Sequence, residues 1–176
     1  MEEKLILVRP DISMAEEIMD YKKEFLAAGS SMDGTGGLRK CETAQEWIEF
    51  NEKMENPESV PSHFVPATQY VYLRESDRRI VGMIQLRHEL NEYLHNFGGH
   101  IGYSVRPSER RKGYAGRMLA ELLPVCRRML LGRVLVTCMT GNVASRRTII
   151  KNGGVYENTV FEPESKVNLE RYWIKL

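Results

Sequence analysis

The stretch Gly98 to Ala115, GGHIGYSVRPSERRKGYA, constrains the chain more than any other. It joins an alternating segment, His100 to Val105, to a helical pattern through a short basic loop. Pro107 stops the first element, because proline has no N–H to give to a strand ladder. Met118, Leu119, Leu122, Leu123 and Cys126 then recur at helical spacing, in a helix expected from about Gly113 to Leu131. A tight turn that opens a helix directs several unpaired backbone N–H groups at one point, and the helix dipole adds partial positive charge there. Arg110, Arg111 and Lys112 add full charges, and Gly113 permits a close backbone approach. Such a loop is a cradle for a diphosphate. The plainer alternative is a basic surface turn ahead of an amphipathic helix. Neither common nucleotide loop is present: no G-x-G-x-x-G follows a strand, and no G-x-x-x-x-G-K-[ST] occurs.

The whole chain, 1–176, reads as one globular domain long enough for a real core. Its formal net charge is only +1, which argues against nucleic acid as a partner. The basic cluster at 106–112 is local, and a local cluster suits a small anion. No apolar run approaches the length of a membrane span, and the acidic start MEEKLILVRP is unlike a leader. Cys41, Cys126 and Cys138 are scattered and odd in number, as free thiols of a reducing cytosol are. The expectation is a cytoplasmic protein with no membrane partner. No His/Cys/Asp cluster has ligand spacing, so no metal is expected.

Leu5 to Val8 reads as a strand, and Ser13 with Glu16 as a capping box for a helix reaching about Ala28. Ser30 to Lys40 has three glycines and no periodicity, and Gly34, Gly36 and Gly37 are expected to hinge a lid. An ordinary surface connection is the alternative. Thr43 and Glu46 open a second helix with Trp47, Ile48, Phe50 and Met54 on its apolar side. Thr68 to Glu75 and Arg79 to Leu90 pair as strands, with Gly82 at a bulge or close contact. Asn91 to Gly99 is a loop. Arg133 to Met139 is a buried strand, Asn142 caps a helix over Val143 to Lys151, and Val155 to Phe161 and Val167 to Lys175 form a last hairpin. The order β-α-α-β-β-β-α-β-α-β-β is that of a mixed α/β sheet.

Arg110-x-x-Gly113-x-Ala115 matches the [QR]-x-x-G-x-[GA] signature of the GNAT superfamily of acyl-CoA-dependent N-acetyltransferases. Asn142-Val-Ala-Ser145 resembles that family's N-x-x-S at the end of the next strand. The resemblance covers roughly Ile80 to Tyr156. It implies an α/β (α+β) fold: a mixed, mostly antiparallel central sheet with splayed middle strands, flanked by helices. It also implies acetyl-CoA as the acyl donor and direct transfer to a small-molecule or peptide amine. The diphosphate is expected on Arg110, Arg111, Lys112, Gly113, Tyr114 and Ala115. Pantetheine is expected along Tyr103, Ser104 and Val105, with Asn142 and Ser145 beside it. The base position of many members falls on His100, and a neutral imidazole is a competent base. Glu89 and His88 are rivals, and ordered water serves in other members. Where the family often has an acidic tyrosine this chain has Ile149, so Tyr156 is a candidate substitute donor, with a packed strand residue and protonation of the thiolate from solvent as the alternatives. A non-catalytic acyl-CoA sensor on the same fold is the alternative function. Asp33 is a candidate for an acceptor ammonium and Trp47 for stacking, although Trp47 also fits the core. The sequence does not give the oligomeric state, and a homodimer is a candidate because small α/β enzymes commonly form dimers.

Overall fold

The computed structural model describes residues 3–176. Seven strands form a mixed sheet in the order β1-β2-β3-β4-β5-β7-β6. They are β1 (Leu5–Val8), β2 (Ala67–Arg74), β3 (Arg79–Arg87), β4 (Ile101–Val105), β5 (Arg133–Met139), β6 (Gly154–Glu162) and β7 (Val167–Lys175). The helices are α1 (Ala15–Ala27), α2 (Ala44–Glu55), α3 (Tyr114–Arg128) and α4 (Val143–Lys151). Period-two alternation sorts the strand side chains onto two buried faces. Tyr72, Ile84, Ile101, Val136 and Tyr172 pack against Met118, Leu122 and Cys126 of α3 and Ile149 of α4. Val71, Leu73, Ile80 and Met83 pack against Ile18, Tyr21 and Phe25 of α1 and Trp47 and Ile48 of α2.

Local chemistry departs from expectation in a few places. Asp11, not Ser13, caps the first turn: its Oδ1 accepts the Ser13 N–H at 2.8 Å, and a 3-10 turn over Ile12–Met14 precedes α1. Aspartate reaches the N–H two residues on in an Asx turn, so it takes that donor ahead of the serine. β3 stops at Arg87, and the loop before β4 contains a π-helical turn, Leu94–Gly98. The expected irregularity near Gly82 is a bulge, with register passing from Tyr72 opposite Gly82 to Leu73 opposite Ile80.

The sheet opens in its middle. All neighbouring pairs are antiparallel except β4 and β5, which are parallel and share one register pair, Ile101 with Val136. The other edge of β4 stays paired with β3 from Ile101 to Val105. Arg87 N–H donates to His100 O at 2.7 Å and Arg106 N–H to Val81 O at 2.9 Å. In an antiparallel ladder those two bonds flank non-hydrogen-bonded pairs at Ile101, Tyr103 and Val105. The N–H and C=O groups of Tyr103 and Val105 therefore point toward β5, beyond the pair at which the strands part. Ser104 points its backbone at β3, and its hydroxyl lies 3.0 Å from the Tyr21 hydroxyl.

Candidate active site

The basic loop forms the floor of the site. Arg111 (φ 67) and Gly113 (φ 80) are both left-handed, and Gly113 is the N-cap of α3. Left-handed residues at these positions curl successive N–H groups toward one concavity. A left-handed arginine costs about 1–2 kcal/mol, so the surroundings must hold it. Glu109 does so. Its buried carboxylate accepts from Arg74 at 3.0 and 3.1 Å, from Arg79 at 3.0 Å and from Lys112 at 2.7 Å. Burial alone would raise the Glu109 carboxyl, but the hydrogen bonds from Arg74 and Lys112 outweigh it and hold it below its ordinary value. Space above Gly113 is open: a Cβ built there meets nothing within 4 Å.

The cations of the loop divide their work differently from expectation. Lys112 is spent on Glu109. Arg110 turns back to Val105 O at 3.2 Å and Ser30 Oγ at 3.2 Å, with its guanidinium 5.5 Å from the Phe25 ring centroid. Tyr114 buries its ring and donates its hydroxyl to Glu3. Arg111 is exposed and in no ion pair among the described residues. The cradle is therefore chiefly backbone, from Arg111 to Ala115, with one free cation beside it.

Between β4 and β5 two hydroxyls meet. Tyr103 lies on the α4 face, and its hydroxyl is 2.7 Å from Ser145 Oγ. Burial pushes the Tyr103 phenol well above its ordinary value, so it keeps its proton at neutral pH. Asn142 caps α4, accepting the Ser145 N–H on Oδ1 at 3.1 Å, and so sets where Ser145 stands. Next to them Cys138 is buried beside Glu170, which Arg146 grips at 2.6 and 2.8 Å and Tyr172 at 2.7 Å. A cleft of about 470 Å³ opens alongside, lined by Met139, Thr140, Gly141, Asn142, Val167 and Asn168.

Three expected catalytic side chains are placed otherwise. His100 is buried and tied to β5 in both directions: its N–H donates to Leu135 O at 2.7 Å, and Leu135 N–H donates to His100 Nδ1 at 2.9 Å. Burial, with the charges of Arg87 and His95, pushes its pKa down to about 4. A neutral ring that accepts on Nδ1 carries its hydrogen on Nε2, so no lone pair remains to take a substrate proton. His100 is thus a tie between strands and not the base. Glu89 is exposed on a segment that runs toward β2, where His88 N–H meets Pro66 O at 2.8 Å and His88 Nε2 meets Thr68 Oγ1 at 2.8 Å. That is the side of β3 away from the splay. Tyr156 lies on β6, separated from β5 by β7, with its hydroxyl 2.8 Å from Thr159 Oγ1.

The loop between α1 and α2 is fastened, not free to act as a lid. Gln69 Nε2 donates to Gly34 O at 2.8 Å, Asn51 Nδ2 to Gly36 O at 3.1 Å and Trp47 Nε1 to Thr35 O at 2.7 Å. Trp47 is fully buried, which removes it from any acceptor. Gly34 (φ 66) packs onto β4 so closely that a Cβ there would lie 2.1 Å from Gly102 O. Asp33 stays exposed at the rim, accepting from Ser31 Oγ at 2.8 Å. Sequence reasoning passed over the Tyr103 hydroxyl and Arg87. The alternation that puts Tyr103 on the same face as Ile101 was the available signal for the first. Arg87 had none, since its partners lie 11 and 12 residues away.

The site thus joins a left-handed turn at a helix start to a gap between two parallel strands, along which the backbone of Tyr103 and Val105 faces β5 without pairing to it. The chain belongs to the GNAT acetyltransferase family, whose domain model matches residues 4–155, and it is an acyltransferase. Acetyl-CoA is the acyl donor that this family uses. Its fold is shared by a ribosomal-protein alanine acetyltransferase from Vibrio fischeri, at TM-score 0.75 and 15% identity over 99% of this chain and 94% of that one. A ribosomal-protein α-N-acetyltransferase in complex with coenzyme A aligns at TM-score 0.73 and 15% identity, covering 99% and 96%. A chimeric spermidine N-acetyltransferase of Vibrio cholerae aligns at TM-score 0.67 and 18% identity, covering 97% and 94%. No curated protein matches the chain. Among the described residues no helix is long and apolar enough to cross a membrane.

Proposed function

We propose that the chain transfers an acetyl group from acetyl-CoA directly to the amine of a small molecule or peptide, in a ternary complex and without a covalent enzyme intermediate. The observation that carries this reading is the row of backbone groups at Tyr103 and Val105 that face β5 without pairing to it, with the Val105 carbonyl held by Arg110, leading into the left-handed turn at Arg111 and Gly113. Backbone N–H groups from Arg111 to Ala115 would hold the diphosphate. Pantetheine would lie as an extra strand on Tyr103 and Val105, with Asn142 and Ser145 at its thiol end. A β4 N–H would then face the thioester carbonyl oxygen, where charge develops as the amine attacks. The nitrogen bonds to the carbonyl carbon, the C–S bond breaks, and the thiolate departs. The ammonium proton leaves to water, since no described side chain at the apex offers a free base. The Tyr103–Ser145 hydroxyl pair would face the departing sulfur, donate a hydrogen bond to it and pass it a proton that solvent replaces, so that no buried phenolate is left, a role that Ile149 cannot fill.

Calorimetric titration with acetyl-CoA tests the reading. The wild type is expected to bind. Gly113→Glu, which adds a carboxylate to the cradle at a left-handed position, is expected to lose at least about tenfold in affinity, or 1.4 kcal/mol. A wild type that does not bind would remove the acyl donor and with it the proposed activity.

A further inference from the structure

Arg87 stands at the head of the splay on the face covered by α1 and α2. Its Nη1 donates to Gly98 O at 3.0 Å and Gly99 O at 3.2 Å, which uses both hydrogens of that nitrogen. Its Nε and Nη2 have no hydrogen-bond partner among the described residues, and neither is among the side-chain atoms sealed from solvent without one. Among the described residues no carboxylate lies within 4.0 Å, in contrast to Arg74, Arg79, Arg106, Arg146 and Arg171. Nε and Nη2 together form one edge of the guanidinium, with parallel N–H bonds at the spacing of two carboxylate oxygens. That edge lies over Gly102, where Nη2 is 3.3 Å from the place a Cβ would take. Gly102 immediately precedes Tyr103, whose backbone faces the proposed thioester.

We propose that Arg87 binds a carboxylate of the acceptor, and that the acceptor is an amino acid or a close analogue with its carboxylate within a few bonds of the amine that is acetylated. This rests on the acetyl transfer proposed above and narrows its substrate class. A half-buried guanidinium that keeps a bidentate edge free is suited to an anion brought by the ligand. It repels a polyamine. A peptide N-terminus offers it a carbonyl in place of a carboxylate. Fixing the carboxylate there orients the neighbouring amine at the head of the splay, which is what direct attack on a thioester needs. Asp33 and Tyr93 are the groups nearest in charge to Arg87. Asp33 sits on the loop that packs Gly34 against Gly102. Its negative charge at the rim competes with an incoming carboxylate.

The test compares amino acids with their decarboxylated amines and their carboxamides, for example phenylalanine, phenethylamine and phenylalaninamide across a side-chain panel, with thiol release as the readout. In the wild type kcat/KM for the acid is expected to exceed that of its amine and its amide by about 10- to 100-fold, the range of a charge-assisted hydrogen bond. Arg87→Gln brings that ratio toward one by raising KM for the acid, and Arg87→Lys recovers part of it. Asp33→Asn lowers KM for the acid several-fold, an effect opposite in sign that loosened packing would not produce. Acetyl-CoA titration of each variant checks that it has folded. A wild type that binds acetyl-CoA yet treats acid and amine alike, or acetylates none of the acids, overturns the carboxylate assignment and leaves the acetyltransferase reading standing. Equal losses on acid and amine in Arg87→Gln overturn it too. Failure of the wild type to bind acetyl-CoA overturns both.

Discussion

At the scale of single residues, His100 shows how a hydrogen bond decides a role. An imidazole at the start of β4 invites a catalytic reading, yet one backbone donor from Leu135 occupies the nitrogen that a base would need. The consequence for pH follows from the sign of the shift. Unfolded histidine titrates near 6.5, whereas burial and the charges of Arg87 and His95 push His100 to about 4. Between those values the unfolded chain holds more protons, so stability falls as pH falls through that window. The loss by pH 4 is on the order of 3 kcal/mol. Urea unfolding at a series of pH values is expected to show it. His100→Asn, whose Oδ1 stands near the position of Nδ1 and does not titrate there, flattens the dependence. The same variant is expected to keep kcat within several-fold, and a drop of about 10²-fold or more would return His100 to the chemistry. Tyr103→Phe and Ser145→Ala, in contrast, each lower kcat by up to about 10²-fold while acetyl-CoA affinity changes little. Such a loss sits at the low end for acid catalysis because a thiolate leaves readily.

At the scale of elements, the loop that binds the anion is shaped from below. Glu109 gathers three cations under the turn, and removing it leaves them facing one another. Glu109→Ala is expected to cost about 3 kcal/mol, the low end for breaking a buried pair because Arg79 and Lys112 are partly solvated. It should weaken acetyl-CoA binding without touching a phosphate, which thermal unfolding and calorimetry on the same sample would separate. Gly34→Ala strains a left-handed residue and drives a methyl into Gly102 O. Its effect belongs on acceptor KM, since the Asn51 and Gln69 clamps hold the rest of the loop. Most of these elements were legible from periodicity: the pairing of β2 with β3, the α3 stripe and the Asn142 cap all stand where the pattern put them. The exceptions have local causes. Lys112 and Arg110 read as phosphate ligands because a basic run shows charge and not partners. Their partners, Glu109 and Ser30, are chosen by the fold.

At the scale of the whole molecule, the splay is a property of register, and register was the least legible layer. Alternation tells which way side chains point. Which strand edge a backbone group faces depends on pairings between β3 and β4 that no single segment encodes. Ser104 reads from sequence as one run with Tyr103 and Val105, and only the ladder with β3 sets its backbone apart. The family motif supplied the splay by resemblance and the ladder accounts for it physically. A cofactor seated there binds the folded chain only, so acetyl-CoA at 100 times its dissociation constant is expected to add about 2.7 kcal/mol to unfolding free energy. Thermal melts across a concentration series check that, and a flat response would mean the gap does not hold the cofactor.

The unpaired row at Tyr103 and Val105 also makes the empty protein vulnerable in a particular way. It is a sheet edge placed in the middle of a sheet, guarded at its Val105 carbonyl by Arg110 and open at Tyr103. Any extended peptide that reaches it finds the same donors and acceptors that pantetheine would use. With pantetheine seated as proposed, shortage of acyl donor would open this seam, and self-association of the donor-free protein is the expected outcome. The amide hydrogens of Tyr103 and Val105, quick to exchange with solvent when the seam is open and slow when it is filled, then serve as a direct gauge of how much of the protein is loaded.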